Sequence, residues 1–200
     1  MQETLPLLKA AGIEPLEDIA KSRKLVFASN RNDVQLLVLR GADVITYIRH
    51  GTADIGVVGK DMLLEDGADG LYELVDLAIA RCRLMTAGLV GQQVASGGRR
   101  RVATKYINLA ARWYAREGVQ VDLIKLYGGM ELAPLMGLAD EIVDIVDSGK
   151  TLQANGLEPW QHIADISSRL VANKASMKVK HAQLMPLVDA LAGAVLSNGE

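Results

Sequence analysis

The chain lacks the residues and patterns on which several classes of protein depend. Its 200 residues include one cysteine, Cys82, which excludes an internal disulfide and suits a reducing compartment. Its three histidines, His50, His162 and His181, do not have the spacing of metal ligands. No apolar run approaches the roughly 20 residues that cross a bilayer, and residues 1–16 lack the pattern of a signal peptide. The sequence therefore predicts a cytoplasmic protein that does not enter a membrane.

The balance of charge bears on the kinds of large partner that the chain could bind. The 22 basic and 24 acidic residues leave a net charge of -2, which argues against nonspecific binding to nucleic acid or to an anionic membrane. We interpret the basic run at residues 99–101 as a solvated loop. Half of the residues are hydrophobic, which is enough to fill the core of one large domain or of two small lobes.

Residues 144–157 give the clearest functional signal. An apolar run ends at Asp147 and is followed by Ser148, Gly149, Lys150 and Thr151. Gly149 permits a sharp turn, and hydroxyl groups together with the free N–H groups of a helix start can hold an anion. Asp147 would lie beside that anion, within reach of sugar hydroxyls. The stretch predicts a phosphate-binding loop, and the alternative interpretation is an ordinary capped helix start.

Apolar runs of strand length alternate with helical patterns along the chain. Helices are predicted over 2–11, 43–50, 60–65, 108–117, 131–138 and 176–196, and strands over 24–29, 34–39, 54–58, 101–104, 121–126, 142–146 and 163–171, with strand-like stretches in 71–89 and a loop at 91–99. This alternation favours a parallel α/β architecture in two units with a ligand cleft between them. We assign residues 1–87 to a first lobe, 88–165 to a second lobe, and 166–200 to a crossover strand and C-terminal helix.

Six ordered blocks of sequence together resemble one protein family. They are residues 22–25, 50–61, 84–88, 101–106, 125–134 and 147–157. The family is the short-form catalytic subunit of ATP phosphoribosyltransferase, and the similarity extends from residue 3 to residue 191. The resemblance implies two α/β lobes around a cleft, as in type II periplasmic binding proteins. It also implies that ATP and phosphoribosyl pyrophosphate react to give phosphoribosyl-ATP and pyrophosphate, the first step of histidine biosynthesis.

The resemblance assigns roles to individual residues. It places Ser148, Gly149, Lys150 and Thr151 on the 5'-phosphate, Glu131 and Asp147 on the ribose hydroxyls, Arg23 over ATP and the phosphates as the catalytic cation, and Lys60 and Asp61 on the ATP side. From the residues alone, Glu131 and Asp61 are also acids that a helix dipole favours, and Arg23 is also typical of surface charge. The resemblance implies Mg²⁺ bound through the substrate phosphates, with no metal ligands in the protein.

The chain differs from the family at its front. Family members begin with an apolar strand and a Lys-Gly-Arg segment, whereas the first predicted element here is the helix over residues 2–11. Either the true start lies upstream, or this form lacks part of its substrate site. The resemblance thus predicts an unpaired edge in the first lobe, with lower stability and activity than an extended chain.

The short length also carries implications about assembly. A chain of this length resembles short-form enzymes that form homodimers and assemble with a histidyl-tRNA-synthetase-like regulatory subunit. The alternative function is that of a catalytically impaired two-lobe binding protein for a phosphorylated small molecule. Release of pyrophosphate would separate the two.

Overall fold

The computed structural model describes residues 3–92 and 98–197. Within them lie the helices α1 (Thr4–Ala10), α2 (Gly41–Arg49), α3 (Lys60–Asp66), α4 (Ile107–Arg116), α5 (Leu132–Leu135), α6 (Lys150–Ala154), α7 (Lys174–Val179) and α8 (His181–Ser197). The strands are β1 (Val26–Ala28), β2 (Gln35–Leu37), β3 (Ile55–Gly59), β4 (Leu71–Asp76), β5 (Cys82–Leu89), β6 (Arg100–Thr104), β7 (Val121–Lys125), β8 (Glu141–Val146), β9 (Leu157–Ile166) and β10 (Ser168–Asn173). The loop predicted at 91–99 falls largely outside the described residues.

The chain divides into two units, and it passes between them more than once. Unit 1 comprises Met1–Leu63, Ala68–Ala80 and Ser167–Glu200, and unit 2 comprises Leu64–Gly67 and Arg81–Ile166. Residues 81–87, which we assigned to the first lobe, group with unit 2 because β5 pairs with β8 and β9. The final segment groups with unit 1 because β10 pairs with β3 and β4.

Strand direction departs from the parallel architecture that the alternation favoured. In unit 2 the strand order is β7-β6-β8-β5-β9, and the pairs of β6 with β7 and with β8 are parallel. Strand β5 is antiparallel to both of its neighbours. In unit 1, β10 lies between β3 and β4 and is antiparallel to both. The prediction is therefore wrong for these strands, because hydrophobic patterns reveal a strand but not its direction.

The predicted strand over residues 163–171 is also wrong, since two strands occupy this region. Strand β9 ends at Ile166 and β10 begins at Ser168. Between them, Ser167 is buried and its Oγ donates a hydrogen bond to Asp76 Oδ1 at 2.7 Å. The two strands pair with different partners and belong to different units.

The predicted helix over residues 176–196 is divided in the same way. Helix α7 begins early because the Asn173 side chain accepts hydrogen bonds from the backbone N–H groups of Ala175 and Ser176, which caps its N-terminus. It ends at Val179, before α8 begins, and Pro186 lies inside α8 rather than at a helix boundary. Across the described residues, no helix has the length and apolar character needed to span a membrane.

The basic run at residues 99–101 is not the solvated loop that the sequence predicts. Each arginine pairs with an acid: Arg99 with Asp122 at 2.9 Å, Arg100 with Glu141 at 3.5 Å, and Arg101 with Asp140 at 2.7 Å. Two of the three belong to β6. The hydrogen bond from Arg101 holds the pKa of the Asp140 carboxyl below its ordinary value. The run therefore joins β6 to its neighbours.

Glu141 is an acid enclosed in unit 2, with 1% of its surface exposed. Burial raises the pKa of its carboxyl, and the nearby Arg100 guanidinium offsets part of that rise. An unfolded glutamate has a pKa of about 4.3. Because the folded pKa lies above this value, the group stabilises the fold at low pH and loses that contribution as the pH rises through its folded pKa.

We therefore expect Glu141→Gln to raise the melting temperature relative to wild type at about pH 7, with a difference that shrinks towards about pH 4. Glutamine keeps the shape of the side chain and removes the buried charge. The control is Glu117→Gln, at an exposed position after α4, which should show no such trend. A difference in melting temperature that is constant over this pH range would contradict the expectation.

Candidate functional site

Three parallel strands of unit 2 end at the same edge of its sheet. Strand β6 lies between β7 and β8. The chain leaves β6 towards β7 on one side, while β8 and the strands that follow it lie on the other. Connections that diverge in this way leave a crevice at the carboxyl ends of the strands, where α/β proteins commonly bind ligands. The loop of residues 147–149 and the segment leading to Glu131 both start at this edge.

The loop after β8 has the geometry that its sequence predicts. Gly149 has φ 75° and ψ 0°, a left-handed conformation that favours glycine, and it immediately precedes α6. No side chain caps this helix. This disfavours the alternative interpretation of the stretch as an ordinary capped helix start. The neighbouring side chains, those of Asp147, Ser148, Lys150 and Thr151, are exposed. Within the described part of the chain, none of these four has a hydrogen-bond or ion-pair partner.

Glu131 lies at the start of a second short element on this edge. Glu131 is half-buried and directly precedes α5, but its side chain does not cap that helix. Helix α5 spans four residues, shorter than the predicted 131–138, and is fixed by the buried Ala133 and Pro134. So short a helix has a weak dipole, which makes the dipole an insufficient explanation for this acid.

Arg23 is an exposed cation in unit 1, between a turn of 3-10 helix at Ile19–Lys21 and strand β1. The lysines beside it are already paired: Lys21 with Asp18 at 3.2 Å, and Lys24 with Glu17 at 2.7 Å. Within the ranges that the structure describes, no ion pair or hydrogen bond engages the Arg23 side chain. Its guanidinium is therefore available to an anion.

Lys60 and Asp61 are less accessible than the sequence suggests. Lys60 Nζ lies 2.6 Å from Glu73 Oε2, and the same carboxylate lies 3.4 Å from Arg169. Asp61 is 7% exposed, and its Oδ1 lies 2.2 Å from the position that a Cβ on Gly59 would take. Contact of either residue with a ligand thus requires a rearrangement of its present surroundings.

Two lysines to which we assigned no role occur just at the ends of parallel strands. Lys105 Nζ lies 4.7 Å from the centre of the Tyr106 ring and 3.9 Å from Asp144 Oδ1, after β6. Lys125, the last residue of β7, lies 5.5 Å from the ring centre of Tyr127. A lysine at the carboxyl end of an apolar strand is the sequence signal that could have indicated these two residues.

The predicted site residues are shared between the units. Arg23, Lys60 and Asp61 belong to unit 1, and Glu131 and residues 147–151 belong to unit 2. Among residues 3–92 and 98–197, no group of three or more His, Cys, Asp or Glu side chains is arranged to hold a metal ion.

Comparison with known proteins gives a consistent result. The family model for HisG, ATP phosphoribosyltransferase, matches residues 40–193. The ATP phosphoribosyltransferase of Hahella chejuensis is 65% identical over 195 residues, which cover 98% of this chain and 92% of that protein. That of Saccharophagus degradans is 66% identical over 193 residues, with 96% and 90% covered.

Solved structures extend the comparison to the fold. The ATP phosphoribosyl transferase (HisG:HisZ) complex from Thermotoga maritima superposes with a TM-score of 0.85 at 31% identity, covering 98% of this chain and 94% of that one. The periplasmic aliphatic sulphonate binding protein SsuA from Escherichia coli gives a TM-score of 0.54 at 12% identity, covering 78% and 59%. This second likeness shows the fold alone. From its sequence identity to these enzymes and its match to their family model, the chain belongs to the ATP phosphoribosyltransferase family.

Proposed function

We propose that this chain transfers the phosphoribosyl group of phosphoribosyl pyrophosphate to N1 of ATP and releases pyrophosphate, the first step of histidine biosynthesis. The observation that carries this function is the 65% identity, over 98% of the chain, to a protein named ATP phosphoribosyltransferase. The exposed, uncapped loop after β8 supports it, because it offers donors for a sugar phosphate.

The reaction makes few demands on acid or base groups. Adenine N1 carries no proton at neutral pH, so it can attack carbon 1 of the ribose without a general base. Catalysis then depends on positioning two anionic substrates and on stabilising the charge that gathers on the departing pyrophosphate. Exposed cations and hydroxyls, rather than a buried acid-base pair, are the groups that such a reaction needs.

We assign the 5'-phosphate to the loop of residues 148–151. The left-handed Gly149 turns the chain so that the first N–H groups of α6, which have no acceptor within the helix, and the hydroxyls of Ser148 and Thr151 can converge on one anion. Lys150 adds a positive charge. The carboxylates of Asp147 and Glu131 accept hydrogen bonds from the ribose hydroxyls.

On the ATP side, Arg23 is the residue that we assign to the developing phosphate charge. A planar guanidinium can donate to two phosphate oxygens at once, which a lysine cannot match. Lys60 contributes to ATP binding by exchanging its ion pair with Glu73 for one with a phosphate, and Asp61, in the first turn of α3, also contributes on the ATP side.

We propose Mg²⁺ as the cofactor: held by the phosphates of the substrate, it would neutralise part of the negative charge on the leaving pyrophosphate. The exposed Asp147 carboxylate beside the loop is a hard oxygen group that is compatible with an ion carried in this way, without serving as one of its ligands. We further propose that the chain works in the cytoplasm as a homodimer within a hetero-oligomer. Its partner is a histidyl-tRNA-synthetase-like regulatory subunit, by analogy with the HisG:HisZ complex.

The activity is tested by mixing the full chain with ATP, phosphoribosyl pyrophosphate and Mg²⁺, with and without a regulatory subunit, and measuring pyrophosphate release. Release that requires both substrates is the expected result. Binding of phosphoribosyl pyrophosphate without any release under either condition would instead identify a binding protein.

The phosphate loop is tested separately by Thr151→Val, which keeps the shape of the side chain and removes its hydroxyl. We expect the affinity for phosphoribosyl pyrophosphate to fall by about 1.5–3 kcal/mol, the usual value of a hydrogen bond to a charged group. Calorimetric titration measures it, with Thr46→Val on the exposed face of α2 as the matched control. If a folded Thr151→Val protein binds phosphoribosyl pyrophosphate as tightly as wild type, the assignment of the 5'-phosphate to this loop is wrong.

A further inference from the structure

A chain of ion pairs in unit 1 begins at Lys60, the lysine assigned to ATP. Lys60 Nζ lies 2.6 Å from Glu73 Oε2, and Arg169 Nη1 lies 3.4 Å from the other oxygen of that carboxylate. Arg169 also contacts Asp76, whose Oδ2 lies 3.0 Å from Nη2. The Asp76 carboxylate accepts the hydrogen bond from Ser167. A change of partner at one end of such a chain alters what the neighbouring groups bind.

The Glu73 carboxylate is shared unequally between its two cations. Its distance to Lys60 is that of a short, charge-assisted hydrogen bond. Its distance to Arg169 exceeds the roughly 2.7–3.2 Å of an ordinary N–H···O hydrogen bond. Lys60 is therefore the main partner of Glu73, and Arg169 is a weaker second partner.

Arg169 has hydrogen-bond donors in reserve. A guanidinium carries several N–H donors, arranged as forks that each match a carboxylate. One terminal nitrogen of Arg169 faces Glu73 and the other faces Asp76. Its Nε is buried and has no hydrogen-bond partner within the described residues. Arg169 can thus hold both carboxylates with more donors than it uses in this arrangement.

The far end of the chain of ion pairs is fixed by the fold. Asp76 Oδ1 accepts hydrogen bonds from Ser167 Oγ at 2.7 Å and from Ala78 N at 2.9 Å. Arg169 lies in β10, the central strand of its sheet, directly opposite Asp76 of β4. Because Asp76 and Arg169 are both anchored, Glu73 is the member that is free to change partner.

The release of Lys60 has a cost that depends on Arg169. The Glu73 side chain is only 31% exposed, and a carboxylate that is partly buried is destabilised when its cation leaves. Arg169 lies close enough to replace Lys60 as the main partner of Glu73. Without Arg169, Glu73 has a stronger hold on Lys60.

We propose that Arg169 is a positioning residue for ATP, which takes over the Glu73 carboxylate when Lys60 binds a phosphate of ATP. This inference rests on the proposed function through the assignment of Lys60. Lys60 exchanges one anion for another, Glu73 exchanges one cation for another, and no proton moves. Glu73 thus competes with ATP for Lys60, and Arg169 weakens that competition without contacting the substrate.

The test measures KM for ATP and kcat from pyrophosphate release by the full chain with Mg²⁺, saturating phosphoribosyl pyrophosphate and the regulatory subunit. Glu73→Gln is expected to lower KM for ATP by about fivefold, the upper value for an exposed ion pair. Arg169→Gln is expected to raise it by about tenfold, as for the loss of a hydrogen bond to a charged group. In both variants kcat should change by less than about twofold, because only ground-state binding is altered.

The double variant separates the exchange of partners from a simple effect of charge. With no carboxylate at position 73, Arg169 has nothing to take over, so KM for ATP should stay within about twofold of the Glu73→Gln value. Charges that act independently on ATP would instead multiply the two single effects, which gives a KM about twice that of wild type.

Two further variants support the comparison. Asp54→Asn breaks the ion pair of Asp54 with Lys180 at 2.9 Å, also in unit 1, and is the matched control that should leave KM for ATP unchanged. Arg169→Lys keeps the charge beside Asp76 and loses the forked donors. It should raise KM for ATP by severalfold, which keeps the test available if Arg169→Gln does not fold.

The outcomes distinguish this inference from the proposed function. If wild type releases pyrophosphate but a folded Arg169 variant has the KM of wild type, the inference is wrong and the function stands. Multiplied effects in the double variant would lead to the same conclusion. If wild type releases no pyrophosphate with both substrates, the proposed function fails and the inference fails with it.

Discussion

Replacing Arg23 by alanine is expected to lower the rate of pyrophosphate release by about 10²–10³-fold, the usual cost of losing one donor that stabilises transition-state charge. The melting temperature should hardly change, because the side chain is exposed and no ion pair engages it in the described residues. Arg23→Lys should recover only part of the rate, since lysine keeps the charge and loses the planar pair of donors.

The matched control for Arg23 is Lys21→Ala. Lys21 is also exposed, lies two residues away, and pairs with Asp18. Its loss should leave both rate and stability almost unchanged. If Arg23→Ala releases pyrophosphate as fast as wild type, Arg23 is ordinary surface charge and the catalytic assignment is wrong.

Replacing Gly88 by alanine is expected to destabilise unit 2 by about 3 kcal/mol, at the upper end of the range for overpacking a buried site. Gly88 lies in β5 beneath the ring of Trp160, and an added Cβ would lie 2.0 Å from the ring carbon Cη2. The backbone of a central strand cannot retreat without disturbing the pairing with β8 and β9. Thermal unfolding measures the effect, with an expected fall of roughly 6–12 °C.

Two further variants make this interpretation specific. Gly128→Ala should be nearly neutral, because apart from its two chain neighbours no residue has a heavy atom within 4 Å of the added Cβ. Combining Gly88→Ala with Trp160→Leu should cost less than the sum of the two single changes, since the smaller side chain leaves room for the methyl group. If Gly88→Ala melts like wild type, the ring moves freely and does not fix the strand.

The candidate phosphate loop could be predicted because its parts are adjacent in sequence. A strand end, a glycine and two hydroxyl residues follow one another within 147–151, so their local geometry depends little on the rest of the fold. The surroundings of Lys60 could not be predicted in this way. Its partner Glu73 lies in β4 and is brought near by the pairing of β3 and β4 with β10.

The break between β4 and β5 shows why strand boundaries are harder to predict from the sequence. The apolar stretch of residues 71–89 contains no glycine or proline between the two strands, yet the chain turns there through Ala78 and Ala80, which have φ values of 55° and 51°. Alanine disfavours this left-handed conformation, so the sequence contains no signal for the turn. Tertiary pairing of the two strands in different sheets imposes it.

The position of β10 has a consequence for the order in which the protein folds during synthesis. Unit 2 is complete in sequence once Ile166 has been made. Strands β3 and β4 are made much earlier, but the strand that separates them in the sheet follows all of unit 2. The ribosome must add roughly ninety residues after β4 before β10 begins, which takes about 5–20 s at about 5–20 residues per second.

For that interval the first part of the nascent chain has strands without their central partner. Its apolar residues, among them Val57 and Val58, have no sheet in which to be buried until β10 emerges. We therefore expect the second unit to fold first, although the first unit is begun earlier. A pause in translation within the codons for unit 2 would lengthen the exposure of these strands and increase aggregation on the ribosome, whereas a pause after residue 173 would not.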